Sequence, residues 1–216
     1  MMQTVIDLSP YKSLLCLNGH LPDKSFFTDL QLPIIAADGA ANSLVRLGLS
    51  PDLIIGDLDS VSPVIRASHK VLHCPEQSTT DFQKCLAHLK ENNLLPAVVV
   101  GINGGHLDHL LNNIAIFLTT NSILYAPPLV GYVLKENTQQ KHKLPLNSKL
   151  SIFGMPNATV STRGLKWELK EAELSFPGTN SCFNRSNAQN IEMTVHQGAA
   201  LVLIYTEAID DAGGSL

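Results

Sequence analysis

Residues 98–118 read VVVGINGGHLDHLLNNIAIFL: three β-branched residues, a glycine-rich turn, then apolar side chains at Leu107, Leu110, Leu111, Ile114, Phe117 and Leu118. The valines predict a short buried strand, and the i, i+3, i+4, i+7 spacing that follows predicts a helix laid on a sheet. The same order recurs on both sides. Leu14–Leu17, Pro33–Ala37, Leu53–Ile55 and Ile123–Tyr125 are further short apolar runs beside Gly, Pro, Asn or Asp, and Phe82, Cys85, Leu86 and Leu89 mark a second helix. Strands alternating with helices predict an α/β layer with a parallel sheet, in which ligands gather at the carboxyl ends of the strands.

After Pro128 the rhythm changes. Val130–Leu134, Lys149–Phe153, Lys166–Leu169, Glu173–Phe176, Ile191–Val195 and Ala199–Tyr205 are short strand-like runs, separated by turn formers such as Pro156-Asn157, Pro177-Gly178 and Gln197-Gly198. The polar stretch Lys135–Lys143 reads as a hairpin connection, and Asp210–Leu216 as a frayed end. The expected fold class is therefore α/β: a parallel-sheet α/β domain over 1–126, followed by an all-β sandwich or barrel over 127–216.

Composition narrows the function. A chain of 216 residues, 44% apolar and 16% charged with a mean hydropathy of +0.10, describes an ordinary globular protein that needs no disulfide or metal to hold its core. With 15 Lys and Arg against 19 Asp and Glu, it has no basic field for a nucleic-acid backbone. The longest apolar stretch, Leu94–Ile102, is far shorter than the roughly 20 residues of a membrane helix. No basic segment precedes an apolar run at Met1–Asp7, and Cys16, Cys74, Cys85 and Cys182 form no C-x-x-C pair. A cytoplasmic protein with reduced thiols is expected, binding neither nucleic acid nor membrane.

Four acidic or glycine-rich segments follow predicted strands or open predicted helices. In Gly56-Asp57-Leu58-Asp59-Ser60, carboxylates two residues apart point the same way if the chain stays extended, and so form half of a site for a hard cation. The alternative is a solvated turn in which one aspartate caps the helix opened by Pro63. In Gln77-Ser78-Thr79-Thr80-Asp81-Phe82-Gln83-Lys84, a helix N-terminus supplies free N–H groups and Lys84 a positive charge, a setting for phosphate oxygens. A capped helix with a surface Asp81–Lys84 pair is the plainer reading. Gly104 and Gly105 allow close backbone approach to a ligand, and Asp108 and Asn112 share a helix face beside them; His106 and His109 read as solvent-facing rather than as a metal pair. Asp38 lies in Ala37-Asp38-Gly39-Ala40-Ala41-Asn42, either a tight βα turn or a ligand contact. Four such elements at one edge of a sheet are more than chance turns would place there.

In this order, ADGAANSL (37–44), GDLDS (56–60), TTDFQKCL (79–86), GINGGHLDH (101–109) and TRGLKWELKEAELSF (162–176), the chain resembles the thiamine pyrophosphokinase family across Leu14–Ile204. The resemblance implies an N-terminal parallel-sheet α/β nucleotide-binding domain joined to a C-terminal all-β sandwich, and a homodimer with active sites between subunits. It also implies transfer of a diphosphate group from ATP to thiamine, giving thiamine diphosphate and AMP, with Mg²⁺. By motif, Asp57, Asp59 and Asp81 would hold the metal. Asp38, Gln77, Thr80, Lys84, Gly104, Gly105 and Asp108 would contact the nucleotide and its phosphates, while one of Asp57, Asp59, Asp81 and Asp108 would take the proton of the attacking hydroxyl. Trp167, Ser181 and Asn184 would contact thiamine. On pattern alone Trp167 fits equally the inner face of a sandwich strand with Leu165 and Leu169; the resemblance turns it toward the thiazolium cation, which an indole face attracts.

Three positions depart from the family pattern. His106 stands where an arginine is usual, Ser78 replaces an acidic residue before TDF, and Phe183 replaces a serine in Ser181-Cys182-Phe183-Asn184. Two other functions share part of the pattern: a diphosphokinase for another heterocyclic alcohol, such as a hydroxymethyl pterin, and a non-catalytic nucleotide or thiamine sensor. The GLKWEL segment speaks against the first, and the complete Asp57, Asp59, Asp81 and Lys84 set against the second.

Overall fold

The computed structural model describes residues 7–206, so the expected frayed end at 210–216 and most of the N-terminal segment lie outside the described residues. The chain divides into two compact units between Ala126 and Pro127, with Asp7 going to the second. Among the described residues no helix is long and apolar enough to cross a membrane.

In the first unit, β1 (Ser13–Cys16), β2 (Ile34–Ala37), β3 (Leu53–Gly56), β4 (Val71–His73), β5 (Ala97–Val100) and β6 (Ile123–Ala126) are joined by α1 (Lys24–Leu30), α2 (Ala40–Arg46), α3 (Pro63–Ser68), α4 (Asp81–Glu91) and α5 (Leu107–Phe117). All the strand pairs are parallel, in the order β4-β3-β2-β1-β5-β6. Every residue of β1, β2, β3, β5 and β6 is buried, which is why these strands read as unbroken apolar runs. The chain winds outward from β1 to β4 and then returns to β5 on the other flank of β1. That reversal creates a switch point at the carboxyl ends of β1 and β5.

Local signals set the helix starts. Ser62 caps α3 by accepting the N–H of Ile65, with Pro63 at the first helical position. Thr80 and Gln83 form a reciprocal capping box at the start of α4. Neither α1 nor β4 was expected. The first has seven residues, too few for a recurring face, and the second is an exposed three-residue edge strand. On α5, only Phe117 of the expected apolar face is fully buried, while Leu107 is 70% and Leu111 55% exposed.

The second unit is antiparallel: β7 (Leu129–Lys135), β8 (Thr138–Lys143), β9 (Lys149–Arg163), β10 (Ala172–Ser175), β11 (Ser181–Arg185) and β12 (Asn190–Tyr205). Two long strands, β9 and β12, pair with each other and serve different neighbours along their length. β12 joins β8 through 190–195 and β7 through 199–205, while β9 joins β11 through its first residues and β10 through 157–160. Their inward side chains, among them Leu150, Ile152, Val160, Met193, Val195, Val202 and Ile204, meet in one apolar cluster.

Four expectations change here. The runs Ile191–Val195 and Ala199–Tyr205 are one strand, because register shifts around Gly198 absorb the irregularity within the ladder. A Cβ on Gly198 would lie 2.2 Å from the Asn157 carbonyl oxygen, so only glycine permits that approach. Pro156-Asn157 is not a turn but lies inside β9. Lys166–Leu169 is not a strand. The Glu168 carboxylate accepts the N–H groups of Gly164 (2.7 Å) and Leu165 (3.2 Å), and the Thr162 hydroxyl accepts that of Leu169, so side chains satisfy the backbone of a loop. The polar stretch after Lys135 holds β8, in which Gln139, Gln140, Lys141 and Lys143 face solvent and His142 is buried.

His142 is buried and shares a hydrogen bond with the Tyr132 hydroxyl; burial pushes its imidazole down from the ordinary 6.5 to about 4. The unfolded chain therefore takes up this proton near pH 6.5 and the folded chain only near 4. The stabilisation is complete above pH 6.5 and is lost as pH falls toward 4, at up to about 1.4 kcal/mol per unit. In urea titrations at pH 7.5 and pH 5, the wild type is expected to lose about 1–2 kcal/mol more than His142→Gln. Equal losses in both proteins would refute this role for His142.

Candidate active site

Asp38 follows β2, Asp57 follows β3, and Asp81 opens α4, which the chain enters from β4. Parallel pairing puts the ends of these adjacent strands on one edge. One carboxylate oxygen from each of Asp38, Asp57 and Asp81 lies within 4.8 Å of the others. Asp38 is 6% exposed, its backbone N–H donates to Ile55 (2.9 Å), and its Oδ1 is buried with no hydrogen-bond partner. Gly56 makes the approach possible. A Cβ there would stand 2.8 Å from the Asp38 Cβ and 3.1 Å from Asp81 Oδ1. Asn42 of α2 anchors the loop after Asp57, donating to the Ser60 carbonyl at 2.7 Å and accepting the N–H of Ser62 at 3.0 Å.

The three acids differ in environment. Burial raises the pKa of Asp38, aided by the charges of Asp81 and Asp57, against hydrogen bonds from Ser60 and the Gly39 backbone. Asp57 is lowered, chiefly because Gln77 Nε2 donates to its Oδ2 at 2.8 Å. Lys84 is buried with its Nζ 3.1 Å from Asp81 Oδ1. Burial opposes its charge, but Asp81, then Glu76 and Asp57, outweigh that effect and hold the ammonium above its ordinary pKa. Ionised, the three carboxylates exceed the one ammonium by two negative charges. An all-oxygen cluster with that excess and an unpaired buried acceptor fits a hard divalent cation such as Mg²⁺.

Asp59 lies outside the cluster. Leu58 takes a left-handed φ of 65° and buries its side chain, so the chain is not extended between the two aspartates; Asp59 faces solvent and accepts from the Ser60 hydroxyl at 2.9 Å. Its place is taken by Asp38, which the sequence marked only as a turn or a nucleotide contact. Gln77 is occupied with Asp57. The Thr80 hydroxyl serves the helix cap, accepting the Gln83 N–H at 3.4 Å. Asp108 is exposed in the first turn of α5, accepting the His109 N–H at 2.8 Å. His106 and His109 are both exposed and belong to no metal-competent group among the described residues.

The glycine-rich loop after β5 packs backbone to backbone on the loop after β1, at the switch point. A Cβ at Gly19 would meet the Asn103 carbonyl oxygen at 2.1 Å, and one at Gly101 that of Leu17 at 2.2 Å. Gly104 has a φ of 93° and lies against the His20 ring, whereas the space beside Gly105 is open. Asn103 Oδ1 is a second buried acceptor without a partner, and nothing in the spacing of the loop singled it out. In the second unit, Trp167 is 54% exposed with Lys166 Nζ 4.6 Å from its ring centre, so it is not a core residue. Ser181 and the buried Asn184 are hydrogen-bonded to each other at 3.1 Å.

Residues 28–124 match the family model described as thiamin pyrophosphokinase, catalytic domain, and residues 138–200 match thiamin pyrophosphokinase, vitamin B1 binding domain. The chain is 28% identical to thiamine pyrophosphokinase 3 of Oryza sativa, over 88% of this chain and 85% of that protein. It is 26% identical to thiamine pyrophosphokinase 1 of Arabidopsis thaliana, over 84% and 80%. Its fold is similar to the crystal structures of the Bacillus subtilis enzyme (TM-score 0.75, 20% identity, covering 91% of this chain and 100% of that one) and the yeast enzyme (0.73, 20%, 91% and 87%).

Replacing one of three crowded carboxylates separates folding from binding. Asp38→Asn is expected to raise the melting temperature in EDTA by a few degrees, since it removes a poorly solvated charge and like-charge repulsion. The same change should abolish the stabilisation of the wild type by millimolar Mg²⁺. Calorimetric melts with and without the cation check both; an undiminished Mg²⁺ effect in the variant would contradict the site.

Proposed function

This chain belongs to the thiamin pyrophosphokinase family and is an enzyme of that kind; from that premise we propose that it moves the diphosphate group of ATP to the hydroxyl of thiamine, releasing AMP. The observation that carries this reading is the meeting of Asp38, Asp57 and Asp81 at one sheet edge, with the Asp38 Oδ1 buried and unpaired. These three residues would hold Mg²⁺, which when bound supplies positive charge to the phosphate oxygens. Asp59 stands beside them in solvent.

The remaining groups position the donor and offset its charge. With Thr80 capping α4 at Gln83, the start of the helix would receive phosphate oxygens, and Lys84, held by Asp81, offsets charge that builds on the transferred group. The thiamine hydroxyl attacks the β-phosphorus, its proton passing to an aspartate of the set Asp38, Asp57, Asp59, Asp81 and Asp108, and AMP leaves. The open space beside Gly105 admits the nucleotide near the switch point, while Gly104 makes room for the His20 ring. In the same reading 8–126 is the ATP-binding catalytic domain and 127–206 receives thiamine, with the Trp167 indole on the thiazolium ring and Ser181 beside it. Two copies of the chain form a homodimer with active sites completed between subunits, as the resemblance implies.

In an assay of AMP release dependent on thiamine and Mg²⁺, Asp57→Asn and Asp81→Asn are expected to lower kcat by about a hundredfold or more while remaining folded. Undiminished rates would overturn the assignment. Trp167→Ala is expected to raise the KM for thiamine by about tenfold and leave that for ATP within about twofold. Equal effects on both would remove the indole from the thiamine site.

A further inference from the structure

The Asn184 side chain is 1% exposed, and its amide is fully occupied within the protein. Oδ1 accepts the backbone N–H groups of Arg185 at 2.8 Å and Trp167 at 3.2 Å. Nδ2 donates to the Trp167 carbonyl at 2.7 Å and to the Ser181 hydroxyl at 3.1 Å. A primary amide offers two donor hydrogens and two acceptor lone pairs, so nothing remains for a ligand. A residue expected to touch thiamine has no free group with which to do so.

The neighbouring backbone explains why an amide sits there. Phe183 adopts a φ of 53°, an unusual conformation for a bulky residue, and the pairing of β11 with β9 slips between Ser181 and Asn184. The Phe183 N–H goes to the Ser151 hydroxyl at 3.0 Å. Beyond the slip, the loop carrying Trp167 runs along β11: Leu165 bridges to Ser186, and the Lys166 N–H donates to Arg185 at 2.8 Å. At Trp167 both the N–H and the C=O are taken by the Asn184 side chain, whose amide carries the same donor and acceptor as a peptide unit. It acts as one more rung next to the Lys166–Arg185 pair.

We propose that Asn184 is a positioning residue that fixes the Trp167 backbone, so that the half-exposed indole is presented to the cationic aromatic ring of the substrate without Asn184 touching it. This rests on the reading of Trp167 as the thiamine contact. Asn184→Asp keeps the shape and the acceptor but loses both donors and turns a buried carboxylate toward the Trp167 carbonyl. Asn184→Ala leaves that carbonyl and its N–H unpaired.

Trp167 is the only tryptophan in the chain, so fluorescence of the ligand-free protein reads the indole independently of turnover. In both variants the acrylamide quenching constant is expected to rise about twofold and the anisotropy to fall, while the KM for thiamine rises about tenfold and kcat and the KM for ATP stay within about twofold. In the ligand-free protein, Ser181→Ala, which takes the 3.1 Å bond from Asn184, is expected to shift quenching in the same direction by less, and decides the matter if neither Asn184 variant folds. Quenching and anisotropy unchanged in folded variants would overturn the positioning role. A mobilised indole with an unchanged KM for thiamine, both here and in Trp167→Ala, would instead overturn the reading of Trp167 as the substrate contact.

Discussion

Three carboxylates crowd one edge of a parallel sheet with a single ammonium to offset them. Left alone, such a group opposes folding: burial and mutual repulsion raise the pKa of Asp38, and one of its oxygens is buried without a partner. The surrounding structure sustains the arrangement. Parallel pairing lines up the ends of β2, β3 and β4, Gly56 leaves room where any side chain would intrude, and Asn42 ties down the loop that carries Asp57. A scaffold that holds charges in an unfavourable cluster is organised for the species that relieves them.

The same logic accounts for Lys84. A buried lysine ordinarily loses charge, yet here the acids around it keep it protonated within its pair with Asp81. Under the proposed function, preorganised charge of this kind would need little rearrangement at the moment of reaction. At the second unit's candidate site the organising force is hydrogen bonding instead. One buried amide holds the backbone on which the sole tryptophan is displayed.

Much of the α/β unit was legible because buried parallel strands read as apolar runs and two of the helices carry long periodic faces. The edge strand β4 and the short α1 left no such imprint. In the β unit, β8 presents polar side chains and was read only as a connection, while bulges let β9 and β12 pass through turn-forming residues without turning. The acidic motifs were visible, but not which of their members meet. Asp57 and Asp59 face the same way only in an extended chain, and the left-handed Leu58 breaks that condition. Asp38 joins the cluster through the sheet order, which spacing along the chain does not encode. The resemblance named Asn184 as a thiamine contact, whereas its occupied amide is a tertiary fact.

The most direct test of this account is divalent-cation binding followed by electron paramagnetic resonance, with Mn²⁺ in place of Mg²⁺. The wild type and Asp59→Asn should each bind the ion saturably, and Asp38→Asn should lose that binding. Binding retained by Asp38→Asn and lost by Asp59→Asn would contradict the cluster as the seat of the metal.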